Sequence, residues 1–307
     1  MKLLLMSDLH IRQTNPRCRK DNFWQTQLSK FSQAVDIAVK EGCSFILQAG
    51  DFFDNPRQPL SVLFHYIPLL KKVPVLTVYG QHDLYMRSYE AVDKTAMALL
   101  DQAGIIRCLG EDPFLVDDVA FYGGSYGRPV PSPYTTEERN ILVLHAPVGT
   151  KQLFPDHKLV SPEEAAYDYL GYDLILCGDY HYPFQVFTGD PGTWVVNMGA
   201  LVRLTISAID RALMPSVGVY DTRIDYEHGI TVHKLDVVPS EVVFDLSTLE
   251  DEDKTTVEMF GLFDALKRDG RVGVDFVQNL RLAMDKSTLC PDARKELESV
   301  IEETKDE

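Results

Sequence analysis

Short apolar runs alternate with longer amphipathic stretches through the first hundred residues. Leu3–Met6 reads as a short buried strand, and Phe23–Lys40 carries apolar residues at helical spacing (Leu28, Phe31, Val35, Val39). Phe45–Leu47 predicts a second strand, Leu60–Leu70 a second helix ended by Pro74, Val75–Tyr79 a third strand and Ala91–Gln102 a third helix. This βαβαβ rhythm implies a mainly parallel, buried sheet. From Ile105 the strands shorten and turn residues multiply. Ile141–Leu144 and Leu174–Cys177 are again fully apolar, while Trp194–Asn197, Ser216–Tyr220 and Ile230–Leu235 read as antiparallel strands. The pattern predicts an α/β fold with two sheets face to face and helices outside.

The pattern changes near Pro239. Residues 241–307 hold 18 acidic and 9 basic side chains, little strand character and two expected helices, Leu249–Lys267 and Pro291–Glu303. We therefore expect a core domain at residues 1–238 and an acidic, mainly helical appendage at 239–307. The whole chain has 307 residues and a formal net charge of −16. Such a charge disfavours coating nucleic acid through cations alone, yet leaves room for an enzyme whose site is made positive by metal ions. The five cysteines are scattered and form no CxxC pair, so a reducing compartment is expected and a zinc ribbon is not. The opening run MKLLLM stops at Ser7–Asp8, too early for a signal sequence, and no stretch is long enough for a membrane span. A soluble cytoplasmic protein is the expectation.

The chemistry-bearing residues fall just after apolar strands. Strand one runs into Asp8-Leu9-His10, strand two into Gly50-Asp51-Phe52-Phe53-Asp54 and strand three into Gly80-Gln81-His82-Asp83. Leu142–Leu144 runs into His145, and Leu174–Cys177 into Gly178-Asp179-Tyr180-His181. Ligands of open α/β sheets sit at the carboxyl ends of strands, so five strand ends should converge on one place. Glycines at 50, 80 and 178 would let the chain turn there. Carboxylate plus imidazole suits a divalent metal, and the seven candidate ligands exceed what one ion needs. Two ions sharing a carboxylate fit better, as in phosphoester-cleaving sites. His65, His157, His228 and His233 have no such setting.

At these residues the sequence resembles the calcineurin-like metallophosphoesterase superfamily, with its D-x-H, G-D-x-x-D, G-N-H-D, lone H and G-H-x-H motifs. The Asp at the close of the third motif and the Phe53-Asp54 pair are similar to the SbcD branch of DNA-repair nucleases. A closer likeness is to the phage and prophage-type members, on Asn15-Pro16-Arg17 and on Asn197-Met198-Gly199-Ala200-Leu201-Val202-Arg203. The resemblance covers roughly residues 1–235 and implies a four-layer α/β/β/α sandwich. It places one metal on Asp8, His10, Asp51 and His181, and the other on Asp51, Gln81, His145 and Asp179, with Asp51 bridging. Mn²⁺ is the expected ion, with Mg²⁺, Fe²⁺ and Zn²⁺ as alternatives. His82 takes the part of the general acid, with Asp83 orienting it and Asp54 in the catalytic group. Two residues depart from the pattern: Gln81 stands where Asn is usual, and Asp179 where the first His of G-H-x-H is usual.

The implied reaction is phosphodiester hydrolysis by a hydroxide bridging the two metals, with a proton from His82 to the leaving oxygen. The resemblance implies a DNA exonuclease or endonuclease; a small-substrate phosphodiesterase or phosphatase is the alternative. Arg12, Arg17, Arg19 and Lys20 form the densest basic cluster near the site, and Arg203 and Arg211 are candidates on its far side for holding a DNA backbone. Tyr180, Tyr182 and Phe184 could stack on bases or pack in the core. SbcD-type nucleases work with an SMC-like ATPase of the SbcC type, which the acidic tail is placed to meet. Capping of the site and homodimerisation are the tail's other expected roles.

Overall fold

In the computed structural model, the described residues are 1–133, 139–153, 158–189, 192–224, 229–245 and Arg294. The chain divides into two compact units, Met1–Phe244 and Asp245–Glu307. The expected helices Leu249–Lys267 and Pro291–Glu303 fall outside the described residues, Arg294 apart.

The first unit is built on two six-stranded mixed sheets. Strands β1 (Lys2–Met6), β2 (Phe45–Gln48), β3 (Val75–Thr77) and β4 (Arg107–Cys108) run parallel, and β11 (Ser216–Asp221) and β12 (Ile230–Lys234) extend the first sheet antiparallel beyond β1. The second sheet has the order β5 (Phe114–Val116), β6 (Val119–Gly124), β7 (Arg139–His145), β8 (Leu174–Gly178), β10 (Thr193–Asn197) and β9 (Phe184–Thr188). Its centre, β6 to β7 to β8 to β10, is parallel, and both edges are antiparallel. The segment Trp194–Asn197, expected to be antiparallel, is so only toward β9; it is parallel to β8.

Alternation along each strand sorts the apolar side chains into three layers. Leu3, Leu5 and Leu47 face Phe121, Ile141, Val143 and Leu174 between the sheets. Leu4, Met6 and Ile46 face outward onto helices α1 (Phe23–Glu41) and α2 (Leu60–Leu70), against Phe31, Ala34, Val35, Val62 and Tyr66. Leu142, Leu144 and Ile175 face the other way, onto Ala165 and Ala166 of α4 (Pro162–Asp168). This is the expected α/β/β/α sandwich.

Helix α1 is capped by the Asn22 side chain and ended by Gly42 at φ 69°. Its buried face is Phe23, Gln27, Lys30, Phe31, Ala34, Val35 and Ala38. Val39, expected on that face, is instead exposed, while Leu28 packs half-buried at its edge; Gln27 and Lys30 take buried places on the stripe. The helix expected over Ala91–Gln102 is split. A 3₁₀ stretch, Tyr89–Lys94, ends at Thr95, whose extended backbone and hydroxyl cap α3 (Ala96–Gln102). Two short helices complete the unit, α5 (Ala208–Ala212) and α6 (Ser240–Val243).

Candidate metal centre

The carboxyl ends of β1, β2, β3, β7 and β8 meet at one edge of the sandwich. The sheets are tied there by the Ser7 hydroxyl donating to the Cys177 carbonyl, 2.7 Å. Across the gap, the Asp179 amide donates to Asp8 Oδ1, 2.9 Å. Asp8, His10, Asp51 and Asp179 all have positive φ, at 35°, 45°, 48° and 78°. The left-handed region is sparsely used by residues with a side chain, and each such residue stores strain of about 1 kcal/mol or more. Four of the seven non-glycine residues of this kind among the described residues are thus candidate ligands.

The glycines divide by cause. Gly50 turns the chain, at φ 79°. Gly80 and Gly178 lie outside the left-handed region and are needed for close approach. A Cβ on Gly80 would overlap Asp51 Oδ1, and one on Gly178 the Ala49 carbonyl oxygen.

The ligating atoms lie close together. Asp51 Oδ2 is 3.8 Å from His10 Nε2 and 3.5 Å from His145 Nε2. His10 Nε2 and His181 Nε2 are 3.0 Å apart. Gln81 Oε1 is 2.7 Å from His145 Nε2, while Gln81 Nε2 donates to Asp179 Oδ1, 2.7 Å. The two residues that depart from the family pattern are therefore partners of each other. Asp8–His10–His181, Asp8–Asp51–His145 and His10–Asp51–His82 each bring one donor atom apiece within 4.8 Å of one another.

These residues fit a cation. Asp8 Oδ2 and Asp51 Oδ2 are buried without a hydrogen-bond partner, a costly state for carboxylate oxygens unless a cation or proton completes them. Burial raises the Asp8 carboxyl to about 7, its histidine neighbours only partly offsetting this. For His145, burial disfavours the imidazolium, but the Asp51 carboxylate, 3.5 Å from Nε2, outweighs it with help from the charge of Asp8 and pushes the ring up to about 10. Its Nδ1 hydrogen donates to the Ala49 carbonyl, 2.7 Å, so a second proton on Nε2 satisfies Gln81 Oε1. Asp51 is held well below the usual carboxylate range: burial opposes ionisation, and the neighbouring imidazoles, His145 first and then His10, overcome it. Burial, then the charge of His10, lowers His181 to about 3, so its ring is neutral.

A metal must displace these protons. Metal affinity is therefore expected to rise with pH through neutrality, with proton release on binding. Calorimetric titration of Mn²⁺ at pH 7 in two buffers of different ionisation enthalpy should give different heats; equal heats would contradict this.

A surrounding layer orients the donors. Asp54 Oδ1 lies 3.7 Å from His10 Nδ1, and its Oδ2 pairs with Arg12, 3.0 Å. Asp54 is thus placed to position His10 and to hold Arg12 rather than to touch a reacting atom. His82 is exposed, and its Nδ1 lies 3.1 Å from the Asp54 carbonyl oxygen. The Asp83 carboxylate, expected to orient His82, accepts instead from the amides of Phe52, Phe53 and Gly80 at 3.2, 2.9 and 3.0 Å. It joins the second and third motif loops. Its carboxyl is raised to about 7 by burial first and the Asp51 charge second.

The basic cluster disperses. Arg12 stays at the edge of the site and Arg17 is exposed. Arg19 is buried, bonded to both carboxylate oxygens of Asp21 and to the Arg203 carbonyl, 2.8 Å. Arg203 is buried too and donates to the carbonyls of Arg211 and Val238. The assignment of Arg19 and Arg203 to a DNA backbone is corrected accordingly: their guanidinia bind the chain itself. Tyr180 and Phe184 are buried in the outer layer of the second sheet, with Tyr182 half-buried beside them.

Three positioning roles escaped the sequence reading. The Gln27 amide donates to the Leu9 and His10 carbonyls, at 3.4 and 2.6 Å. Gln48 closes the turn before Asp51 through the Gly50 carbonyl and amide, 2.6 and 3.1 Å. Asn197 donates to the Tyr180 carbonyl, 2.6 Å, steadying the last motif. Polar residues interrupting the apolar face of a helix or strand are the signal they carried.

A sandwich with acid and imidazole donors at its strand ends defines a metallophosphoesterase. Residues 1–183 match the calcineurin-like phosphoesterase family, and the chain belongs to it. Among curated proteins it is similar to the DNA double-strand break repair protein Mre11 of Saccharolobus solfataricus, 28% identical over 50% of this chain and 43% of that protein. It is similar also to Mre11 of Methanosarcina mazei, 25% identical over 67% of this chain and 34% of that protein. The chain thus spans less than half the length of these relatives. Among solved structures it is similar to a dimetal phosphatase from Danio rerio, with a TM-score of 0.49 and 12% identity over 78% of this chain and 97% of that one.

The hydrogen-bonded Gln81 and Asp179 invite a prediction. Asp179→Ala should weaken one Mn²⁺ equivalent by about 10–100-fold, leaving the other near its wild-type affinity. A binding isotherm weakened equally for both ions would show that Asp179 serves neither in particular.

Proposed function

We propose that this chain is a dinuclear metal-dependent phosphodiesterase acting on DNA. The observation that carries the reading is the pair of partnerless buried oxygens, Asp8 Oδ2 and Asp51 Oδ2, ringed by imidazole donors from both sheets. Asp8, His10, Asp51 and His181 would hold one ion and Asp51, Gln81, His145 and Asp179 the other. Mn²⁺ is the preferred ion, because Asp179 brings an anionic oxygen where a neutral donor is usual. Bound ions would supply Lewis acidity toward the phosphoryl oxygens and lower the pKa of a bound water. The chain's own residues do the rest. Asp51 receives the His82 amide on Oδ1, 2.8 Å, which aims its Oδ2 at the imidazoles. His82, anchored at Nδ1 by the Asp54 carbonyl, presents Nε2 to protonate the departing oxygen. Arg12, fixed by Asp54, and Arg17 would hold the flanking phosphates.

The likeness to DNA double-strand break repair proteins supports DNA as the substrate, as the resemblance to SbcD nucleases does. Residues 239–307 are proposed to dock an SMC-like ATPase, with capping of the site or homodimerisation as their alternative roles. A small phosphodiester is the second reading. It is favoured by the inward commitment of Arg19 and Arg203, which leaves few cations for a DNA backbone. Among the described residues no helix is long and apolar enough to cross a membrane.

Cleavage of end-labelled single- and double-stranded DNA with Mn²⁺, beside bis-p-nitrophenyl phosphate, tests the reading. DNA degradation that chelation abolishes is expected. Hydrolysis of the small diester with DNA left intact would favour the second reading.

A further inference from the structure

Away from the metal centre, a pocket of about 380 Å³ opens between α1 and the segment leading to α6. Its lining includes Arg19, Lys30, Arg203, Thr26, Ser29 and Asp236. Lys30 is the anomaly. It is 6% exposed, yet its ammonium has no hydrogen-bond partner. An unpaired buried ammonium is costly, and a helix face that needed only packing would carry an apolar residue there. The anions nearby do not complete it. Asp21 is taken by both nitrogens of the Arg19 fork, at 2.7 Å each. Asp236 is the one lining carboxylate, and it attracts Lys30 by charge without a hydrogen bond. Arg19 and Arg203 act on Lys30 as like charges, so the three cations share one field. Burial leads in lowering the Lys30 amine, to about 8, which leaves it largely charged at neutral pH. Ser29 Oγ accepts from Gln33, 3.3 Å, and its own hydroxyl proton remains to be donated.

We propose that this pocket binds a small phosphate-bearing ligand, a phosphomonoester or inorganic phosphate, with the Lys30 ammonium as its central contact. A compact dianion answers a buried ammonium that has no hydrogen-bond partner and lies beside two further cations. The pocket falls in the size range of small-molecule sites, which favours a free ligand over a polymer backbone. Only Lys30 lacks a partner; Arg19 and Arg203 contribute charge from fixed positions.

Thermal melting and calorimetry of the full chain test this, with inorganic phosphate or deoxyadenosine monophosphate against chloride at equal ionic strength. Wild type and Asp51→Asn should both be stabilised by phosphate, since the metal centre is not involved. Lys30→Met should lose about tenfold or more in phosphate affinity, and Lys30→Arg should retain binding. In chloride, Lys30→Met should melt no lower than wild type, because it removes an unpaired buried charge. Phosphate that stabilises Lys30→Met as much as wild type, or stabilises neither, would overturn the proposal. So would binding of an oligonucleotide without terminal phosphate in the absence of binding by phosphate or the mononucleotide.

Discussion

Replacing His82 by alanine should lower turnover on DNA by about 10²–10⁴-fold while leaving bound metal unchanged. The geometry separates the two effects. The ring is exposed, lies edge-on to His10 and bonds through Nδ1 to a backbone carbonyl. The part of His82 that supports the centre is its amide, donating to Asp51 Oδ1, which alanine keeps. The loss should depend on the leaving group. The sugar oxygen of a DNA strand needs a proton as it departs, whereas p-nitrophenolate leaves readily without one. His82→Ala should therefore be far more damaging on DNA than on bis-p-nitrophenyl phosphate. Equal losses on both substrates, or a matching loss of metal, would point to a structural role for the ring.

Asp51→Asn should abolish both metal binding and hydrolysis. Asp51 is fully buried, lies nearest the middle of the donor set, and belongs to two of the three donor clusters. Asparagine has the same shape, tolerates a positive φ and can still accept the His82 amide, so the fold should persist. The missing charge cannot be replaced. Metal-assisted stabilisation of a phosphoryl transition state is worth several kcal/mol, so activity should fall by about 10³-fold or more. His145 would lose the partner that holds its proton, and its pKa should drop. That drop can be followed by NMR of the ring in the metal-free variant. An Asp51→Asn protein that still binds two ions would remove Asp51 from the bridging position.

Much of this centre was legible because metal ligands fall on strand ends, and strand ends are announced by apolar runs. Asp8, His10, Asp51, His145 and His181 each follow such a run within a few residues. The roles of the supporting residues were not legible, since a carboxylate in a motif does not say which hydrogens it will accept. Asp83 accepts from the backbone amides of Phe52 and Phe53, directly before Asp54, yet Asp54 itself binds a histidine and an arginine. Arg19 and Arg203 looked like surface cations because basic residues in loops usually are. Their burial depends on contacts with Asp21, Phe23 and Phe244 that only the fold brings together. On α1, Gln27 and Lys30 broke the apolar stripe in plain view. One braces the His10 loop and the other faces the second pocket, so each break in the pattern marked a place where the helix does more than pack.

The most direct measurement is a titration of Mn²⁺ into metal-free protein, following bound metal by electron paramagnetic resonance and bis-p-nitrophenyl phosphate hydrolysis in the same samples. A paired centre predicts that hydrolysis rises with the second equivalent, alongside the spectrum of two coupled ions. Hydrolysis complete at one equivalent, or two equivalents bound with no hydrolysis of any diester, would contradict it.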